Sequence, residues 1–242
     1  MKIRYKKWFP LIARILLIAV FVASSGVMVS LCLSDGDMTD FRKKIKISEK
    51  KTQISNPVKW KKLQKLNPDI YAWIEIPGTN IDYPVACSAE GEKENFYLNH
   101  GADGKHDLVG TIFTQKMNAK DFSDPVTVLY GHKMLNGSMF GRLKQYAYPK
   151  FMKKNDEVYV YTPEKIFVYR VLASGEVDDF NITKKYDFSD GLEKDFVQMV
   201  EELDVTRAKM QLKKRDKVLV LSTCSIIDTK RRIVVAKQIK TL

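Results

Sequence analysis

Cysteine is scarce in this chain: Cys32, Cys87 and Cys224 are all it has, an odd number with no C-x-x-C pair among them. That excludes a scaffold stapled by disulfides and a cysteine-rich zinc fold. Histidine is equally sparse, with His100, His106 and His132 and no H-E-x-x-H, so metal catalysis lacks a ligand set with the required spacing. Glycine (12) and proline (8) together make 20 of 242 residues, too few for a collagen-like or low-complexity chain. No segment repeats itself. Acidic residues are in deficit, 29 against 41 Lys and Arg for a net charge of +12, which suggests an anionic neighbour such as nucleic acid, a phospholipid headgroup or a wall polymer. What is present in quantity is apolar and aromatic surface, 45% and 11% of residues, enough for a substantial core.

The one long uncharged run lies at the start. Lys2, Arg4, Lys6, Lys7 and Arg14 precede it, and no charge occurs from Ile15 to Ser34, after which come Asp35 and Asp37. Twenty residues of helix span about 30 Å, the hydrocarbon thickness of a bilayer. The basic flank predicts a cytoplasmic N-terminus with everything after about Ser34 outside, and Trp8 and Phe9 at the interface. The competing reading is a cleaved signal peptide ending near Ala23-Ser24-Ser25. Without the five basic residues of this end, the exported part holds 36 basic against 29 acidic residues, or +7. Much of the basic excess is thus topological, and nucleic acid is not an expected partner.

Beyond the anchor, Thr39 to Leu66 is Lys-rich with loose helical spacing interrupted by Pro57, which predicts two short helices as a stalk or lid. From Asn67-Pro68-Asp69 the texture changes to short β-type runs. Trp73–Ile76 and Ile81–Val85 flank the turn Pro77-Gly78-Thr79-Asn80. Further strands are expected at Leu108–Phe113, Val126–Tyr130, Glu157–Tyr161, Ile166–Val177, Lys217–Thr223 and Arg232–Ile239. Eight β runs around one core suggest a barrel or sandwich. One segment differs: Leu192, Phe196, Val200 and Leu203 recur at helical spacing behind Asp190, with Glu193 three residues on as in a capping box.

Cys224 ends the apolar run Val218-Leu219-Val220-Leu221, so it lies where a strand emerges from the core. A thiol there is a candidate nucleophile, provided that a cation or hydrogen-bond donor favours its thiolate. Arg232, eight residues on, opens the run Ile233-Val234-Val235 after a turn placed at Asp228–Arg231. In a hairpin of that length it returns beside Cys224. His132 follows another strand end, in Tyr130-Gly131-His132, where glycine lets backbone approach a substrate closely. His100 and His106 read as surface residues of a glycine-containing loop, Cys87 as a core or surface thiol, and Cys32 as part of the anchor.

Together the anchor, the β-rich exported part, Tyr130-Gly131-His132, Leu221-Ser222-Thr223-Cys224 and Arg232 before a β run resemble the sortases, cysteine transpeptidases of Gram-positive cell surfaces. Their signature is T-L-x-T-C with a histidine upstream and an arginine downstream. Val220 stands where the family usually has Thr. The segment from Tyr130 to Phe140 is similar to that around the histidine in class B. The resemblance implies a mainly β fold, an eight-stranded sortase-type β-barrel with N-terminal helices and a helix between the sixth and seventh strands. It divides the chain into a basic end and signal anchor at 1–34, a helical stalk at 35–68 and a catalytic barrel at 69–242.

The same resemblance implies roles. Cys224 would attack the carbonyl of the Thr in a C-terminal sorting signal of the N-P-x-T-x or P-x-T-x kind, forming a thioester, and His132 would handle the protons. Arg232 would stabilise the oxyanion, at a cost of about 2.7–4 kcal/mol if it were lost; its neighbour Arg231 is the residue most easily confused with it. Ser222 and Thr223 are candidates to line the substrate groove. No cofactor or metal is implied. The partners implied are secreted surface proteins bearing the signal, an amine of the peptidoglycan precursor or stem peptide, and the membrane through the N-terminal helix. Two alternatives remain: a pilin-polymerising sortase using a lysine nucleophile, and a non-enzymatic, membrane-anchored protein whose +7 domain holds wall or lipid anions.

Overall fold

A computed structural model describes residues 56–206, 211–224 and 229–242. The expected anchor, Cys32 and the first of the two expected stalk helices lie outside the described residues. The second helix is present after Pro57, as α1 (Trp60–Leu66), which buries Leu63. No helix among the described residues is long and apolar enough to cross a membrane.

Among the described residues nine strands follow: β1 (Ile70–Glu75), β2 (Asp82–Cys87), β3 (Ile112–Thr114), β4 (Val126–His132), β5 (Glu157–Tyr161), β6 (Ile166–Asp178), β7 (Val205–Thr206), β8 (Val218–Cys224) and β9 (Lys230–Thr241). Eight of them form a ring in the order β5-β1-β2-β3-β4-β8-β9-β6, which the β5–β6 pairing closes. Within such a ring each strand has a neighbour on both sides. The ninth strand, β7, was not expected. It is a two-residue addition beside Ala173 and Ser174 of β6, too short to leave a periodic signal.

Most of the ladder is antiparallel, and the expected turn at Pro77–Asn80 joins β1 to β2 with Gly78 at φ +78°, a conformation that glycine adopts without steric cost. Two pairings are parallel, β2–β3 and β4–β8. Strands β4 and β8 are central and buried along nearly their whole length, which is why both read as continuous apolar runs. The interior is filled by large side chains, among them Trp73, Tyr83, Phe113, Phe122 and Phe140, all nearly or fully inaccessible.

Two short helices, α2 (Pro149–Lys154) and α3 (Ile182–Lys185), lie between strands, and α4 (Lys194–Glu201) crosses from β6 toward β8 with Phe196 and Val200 buried. It occupies the place of the helix expected between the sixth and seventh barrel strands. Its capping box does not form. Glu193 is the N-cap residue without a side-chain cap bond; its carboxylate accepts from the Asp187 N–H at 2.9 Å, and Asp190 pairs with Lys214. The helix is therefore held by its apolar face.

Candidate active site

The parallel pairing of β4 with β8 runs in step from Val126 opposite Val218 to its last pair, His132 opposite Cys224. Paired residues project from the same face of a sheet. Two residues far apart in sequence thus stand side by side where both strands leave the barrel, and the Lys133 N–H donates to the Cys224 carbonyl at 3.2 Å, extending the ladder by one bond.

The segment after His132 is held back against the strand. The Phe140 N–H donates to the His132 carbonyl at 3.0 Å, and the Met139 N–H donates to the Tyr83 hydroxyl at 2.9 Å. Met139 has φ +50°, an unfavourable conformation for a side chain of that size that persists only where its surroundings impose it. Gly131 has a different reason to be glycine: a Cβ there would lie 2.4 Å from Ile112 Cδ1 and 2.9 Å from Phe140 Cδ2.

The His132 ring meets the Leu98 carbonyl through Nε2 at 2.7 Å. A carbonyl only accepts, so Nε2 carries the proton and Nδ1 is left for proton exchange. Leu98 ends a short 3-10 turn, Phe96–Leu98, fixed by the Thr111 N–H donating to the Tyr97 carbonyl at 2.9 Å. His100 belongs to this support: its ring stacks on Phe96 at 3.7 Å and its hydrogen bond goes to the Phe96 carbonyl.

On the other side of Cys224 the structure corrects the sequence reading. The antiparallel β8–β9 register runs from Val218 opposite Lys237 to Ser222 opposite Ile233. Continued by two residues, it sets Thr223 against Arg232 and Cys224 against Arg231. The Thr223 hydroxyl accepts from the Arg232 N–H at 3.0 Å and donates to its carbonyl at 3.3 Å. Strand β9 begins at Lys230, earlier than the turn placed at Asp228–Arg231 allowed, and one residue of register reverses every side chain. Arg231 therefore reaches the thiol, with Nη1 3.5 Å from Sγ. Arg232 turns to the opposite face, where it pairs with Glu176 at 3.1 Å and Asp204 at 4.0 Å.

Ser222 and Thr223 are not brought into the cleft either. Ser222 shares the Cys224 face but is buried in register between Tyr130 and Ile233, and the Thr223 hydroxyl is engaged by Arg232. The cleft over Cys224 has a volume of about 300 Å³ and is lined by His132, Arg231, Tyr130, Leu98, Asp179 and Phe180 together with Asn95, Gln115 and Asn181. The three amides are linked: Asn181 donates to Gln115 at 2.7 Å, and Gln115 to Asn95 at 3.3 Å. A larger groove beside α4, about 720 Å³, has neither cysteine nor histidine in its lining.

Burial raises the Cys224 thiol above the ordinary cysteine range. Arg231, by charge and hydrogen bond, and the Gly131 backbone act against that rise, whereas Asp179 adds to it. The resting group is a protonated thiol beside a fixed cation. Burial also pushes Tyr130 up to about 12, so its phenol remains neutral. The side chain of Cys87, buried at the end of β2, is outside this lining. Among the described residues, no three His, Cys, Asp or Glu side chains are grouped to hold a metal ion.

A thiol thus stands at a strand end of a closed β-barrel with a histidine on one neighbouring strand and an arginine on the other, an arrangement suited to cysteine-dependent acyl transfer. A family model for the sortase domain matches residues 74–239. Sortase B of Listeria monocytogenes is 31% identical over 169 residues, 67% of this chain and 65% of that protein. Sortase B of Staphylococcus aureus is 27% identical over 247 aligned positions, covering 97% and 98% of the two chains. The crystal structure of sortase B from Bacillus anthracis in complex with AAEK1 superposes with a TM-score of 0.75 at 25% identity, over 88% of this chain and 99% of that one. The chain belongs to the sortase family, the cysteine transpeptidases, and within it to class B.

The residues that the sequence did not reveal are Leu98, Arg231 and Asp179. Leu98 acts through its carbonyl, which no side-chain pattern reports. Arg231 stood beside the residue chosen. Asp179 closes no motif, and only the meeting of the β6 end with the start of β9 brings it to the site.

Proposed function

We propose that this chain cleaves a C-terminal sorting signal of the N-P-x-T-x or P-x-T-x kind after its Thr and transfers the acyl group to an amine of the peptidoglycan precursor or stem peptide. The observation that carries this reading is the placement of Cys224 between His132 and Arg231. Cys224 gives its thiol proton to His132 Nδ1 as its sulfur attacks the Thr carbonyl carbon, and the carbonyl oxygen takes up negative charge. The Arg231 guanidinium, a permanent cation with several donors, stabilises that charge. His132 protonates the departing amine as the peptide C–N bond breaks, which leaves a thioester on Cys224. It then takes a proton from the incoming amine as that amine displaces the thiol. The amide chain Asn95–Gln115–Asn181 supplies donors and acceptors that match an extended peptide backbone.

The anchor belongs to the same proposal. Residues 1–34 hold the protein in the cell membrane with the N-terminus cytoplasmic and the barrel outside, where sorting signals and wall precursors meet. The charge-free run from Ile15 to Ser34 behind five basic residues supports it. The full-length chain should cleave one of a panel of fluorogenic peptides of the N-P-Q-T-N, S-P-x-T-G and L-P-x-T-G types, and Cys224→Ala should cleave none while retaining its fold. Cleavage by Cys224→Ala would end the proposal. Supplying a peptidoglycan amine or a pilin lysine to the thioester then identifies the acceptor.

A further inference from the structure

We propose that Asp179 is a positioning residue that holds the Arg231 guanidinium against Cys224; this deepens the function proposed above and rests on it. The geometry comes from three strands meeting at one corner. Strand β6 ends at Asp178, paired with Lys230, and Val177 is paired with Arg231. Asp179 is the next residue, and its N–H donates to the Thr229 carbonyl at 3.0 Å. Its backbone is thus tied to the entry of β9 before its side chain does anything. From there the carboxylate accepts from Nε of Arg231, while Nη1 of the same guanidinium reaches Cys224 Sγ at 3.5 Å.

An arginine side chain has four rotatable bonds and ordinarily loses considerable freedom when fixed. A carboxylate on Nε anchors the root of the planar fork, so its outer nitrogens are held in one direction, toward the thiol. Among the described residues, Asp179 is the one acid in the lining of the cleft. The arrangement has an electrostatic cost. The carboxylate disfavours the Cys224 thiolate, so its placement lowers the resting nucleophile while aiming the cation that meets the developing oxyanion. A group retained only to activate the thiol would not be an acid; the position makes sense if orientation in the transition state outweighs thiolate population at rest.

Two substitutions separate orientation from charge. Asp179→Ala removes the acceptor and the charge together. Asp179→Asn removes the charge but keeps an amide oxygen that can accept from Nε. With full-length protein and the peptide cleaved by wild type, Asp179→Ala is expected to lose about tenfold in kcat with KM changed less than twofold, and Asp179→Asn to recover most of that loss. In an Arg231→Ala background, Asp179→Ala should change kcat by less than twofold, because there is no longer a guanidinium to position.

Iodoacetamide alkylation of Cys224 across pH gives a readout that needs no substrate. Its midpoint should move down in Asp179→Asn, where the repulsion is gone and the contact remains. Thermal denaturation of each variant reports whether the fold is kept. The idea is overturned if Asp179→Ala retains kcat within twofold, if its loss recurs in full without Arg231, or if the alkylation midpoint of Asp179→Asn does not fall. Failure of wild type to cleave any sorting peptide while alkylation behaves as expected would count against the sortase substrate and leave the Asp179–Arg231 contact standing.

Discussion

Arg231 and Arg232 are chemically identical and adjacent, yet the barrel gives them unrelated work. Arg231→Ala should lower kcat/KM for peptide cleavage by about 10²–10³, the usual consequence of removing a donor to an oxyanion. Arg232→Ala should leave cleavage within a few-fold and cost about 1 kcal/mol in urea denaturation, since its main partner Glu176 is half exposed and such pairs are weak. The reverse pattern would return the catalytic role to Arg232. The thiol makes a second residue-scale expectation. Because burial raises Cys224, its alkylation rate should be low at neutral pH and climb with pH through a midpoint above the ordinary cysteine range. Arg231 opposes that rise by favouring the thiolate, so Arg231→Ala should shift the midpoint higher still, the sign opposite to that for Asp179→Asn.

Among the elements, β4 is the most tightly determined. A methyl group at position 131 would press on Ile112 from β3 and on Phe140, and neither neighbour lies at the surface. Gly131→Ala is expected to destabilise the protein by about 1–3 kcal/mol and, because it displaces the strand end that carries His132, to lose more activity than that stability loss accounts for. Comparing thermal denaturation with cleavage at a temperature where the variant remains folded tests this. Legibility in the sequence follows the same lines. Strands β4, β5, β6 and β8 were readable because each is an uninterrupted β-type run between polar turns. The pairing of β4 with β8 was not readable, since no local pattern reports which distant strand lies alongside. The hairpin arginine was readable to within one residue, and in a strand one residue is the whole difference between two faces. The Asp190–Glu193 capping box satisfied the motif but not the geometry, because Asp190 and Glu193 found Lys214 and the Asp187 backbone instead.

At the scale of the whole molecule, net charge said little about chemistry and the order of three short motifs said much. The +12 chain loses five of its basic residues to the N-terminal end, and a thiol, an imidazole and a guanidinium are brought together by the side-by-side pairing of β4, β8 and β9. If residues 1–34 serve as an anchor, deleting them should release the protein from the membrane fraction and leave peptide cleavage by the remainder unchanged. Retention in the membrane fraction would locate the attachment elsewhere.

The ring order also sets a schedule. His132 lies near the middle of the chain, whereas Cys224 and Arg231 arrive on the last two strands, and the final residue, Leu242, exchanges backbone hydrogen bonds with Ile166 at 2.9 Å in each direction. A chain still being synthesised therefore holds its histidine long before it holds a nucleophile. The cysteine gains its arginine only when the last strand folds back across β6 and β8. Until β8 and β9 pair, the thiol therefore stands without a guanidinium beside it, so the pairing of these two strands is the step that completes the cluster.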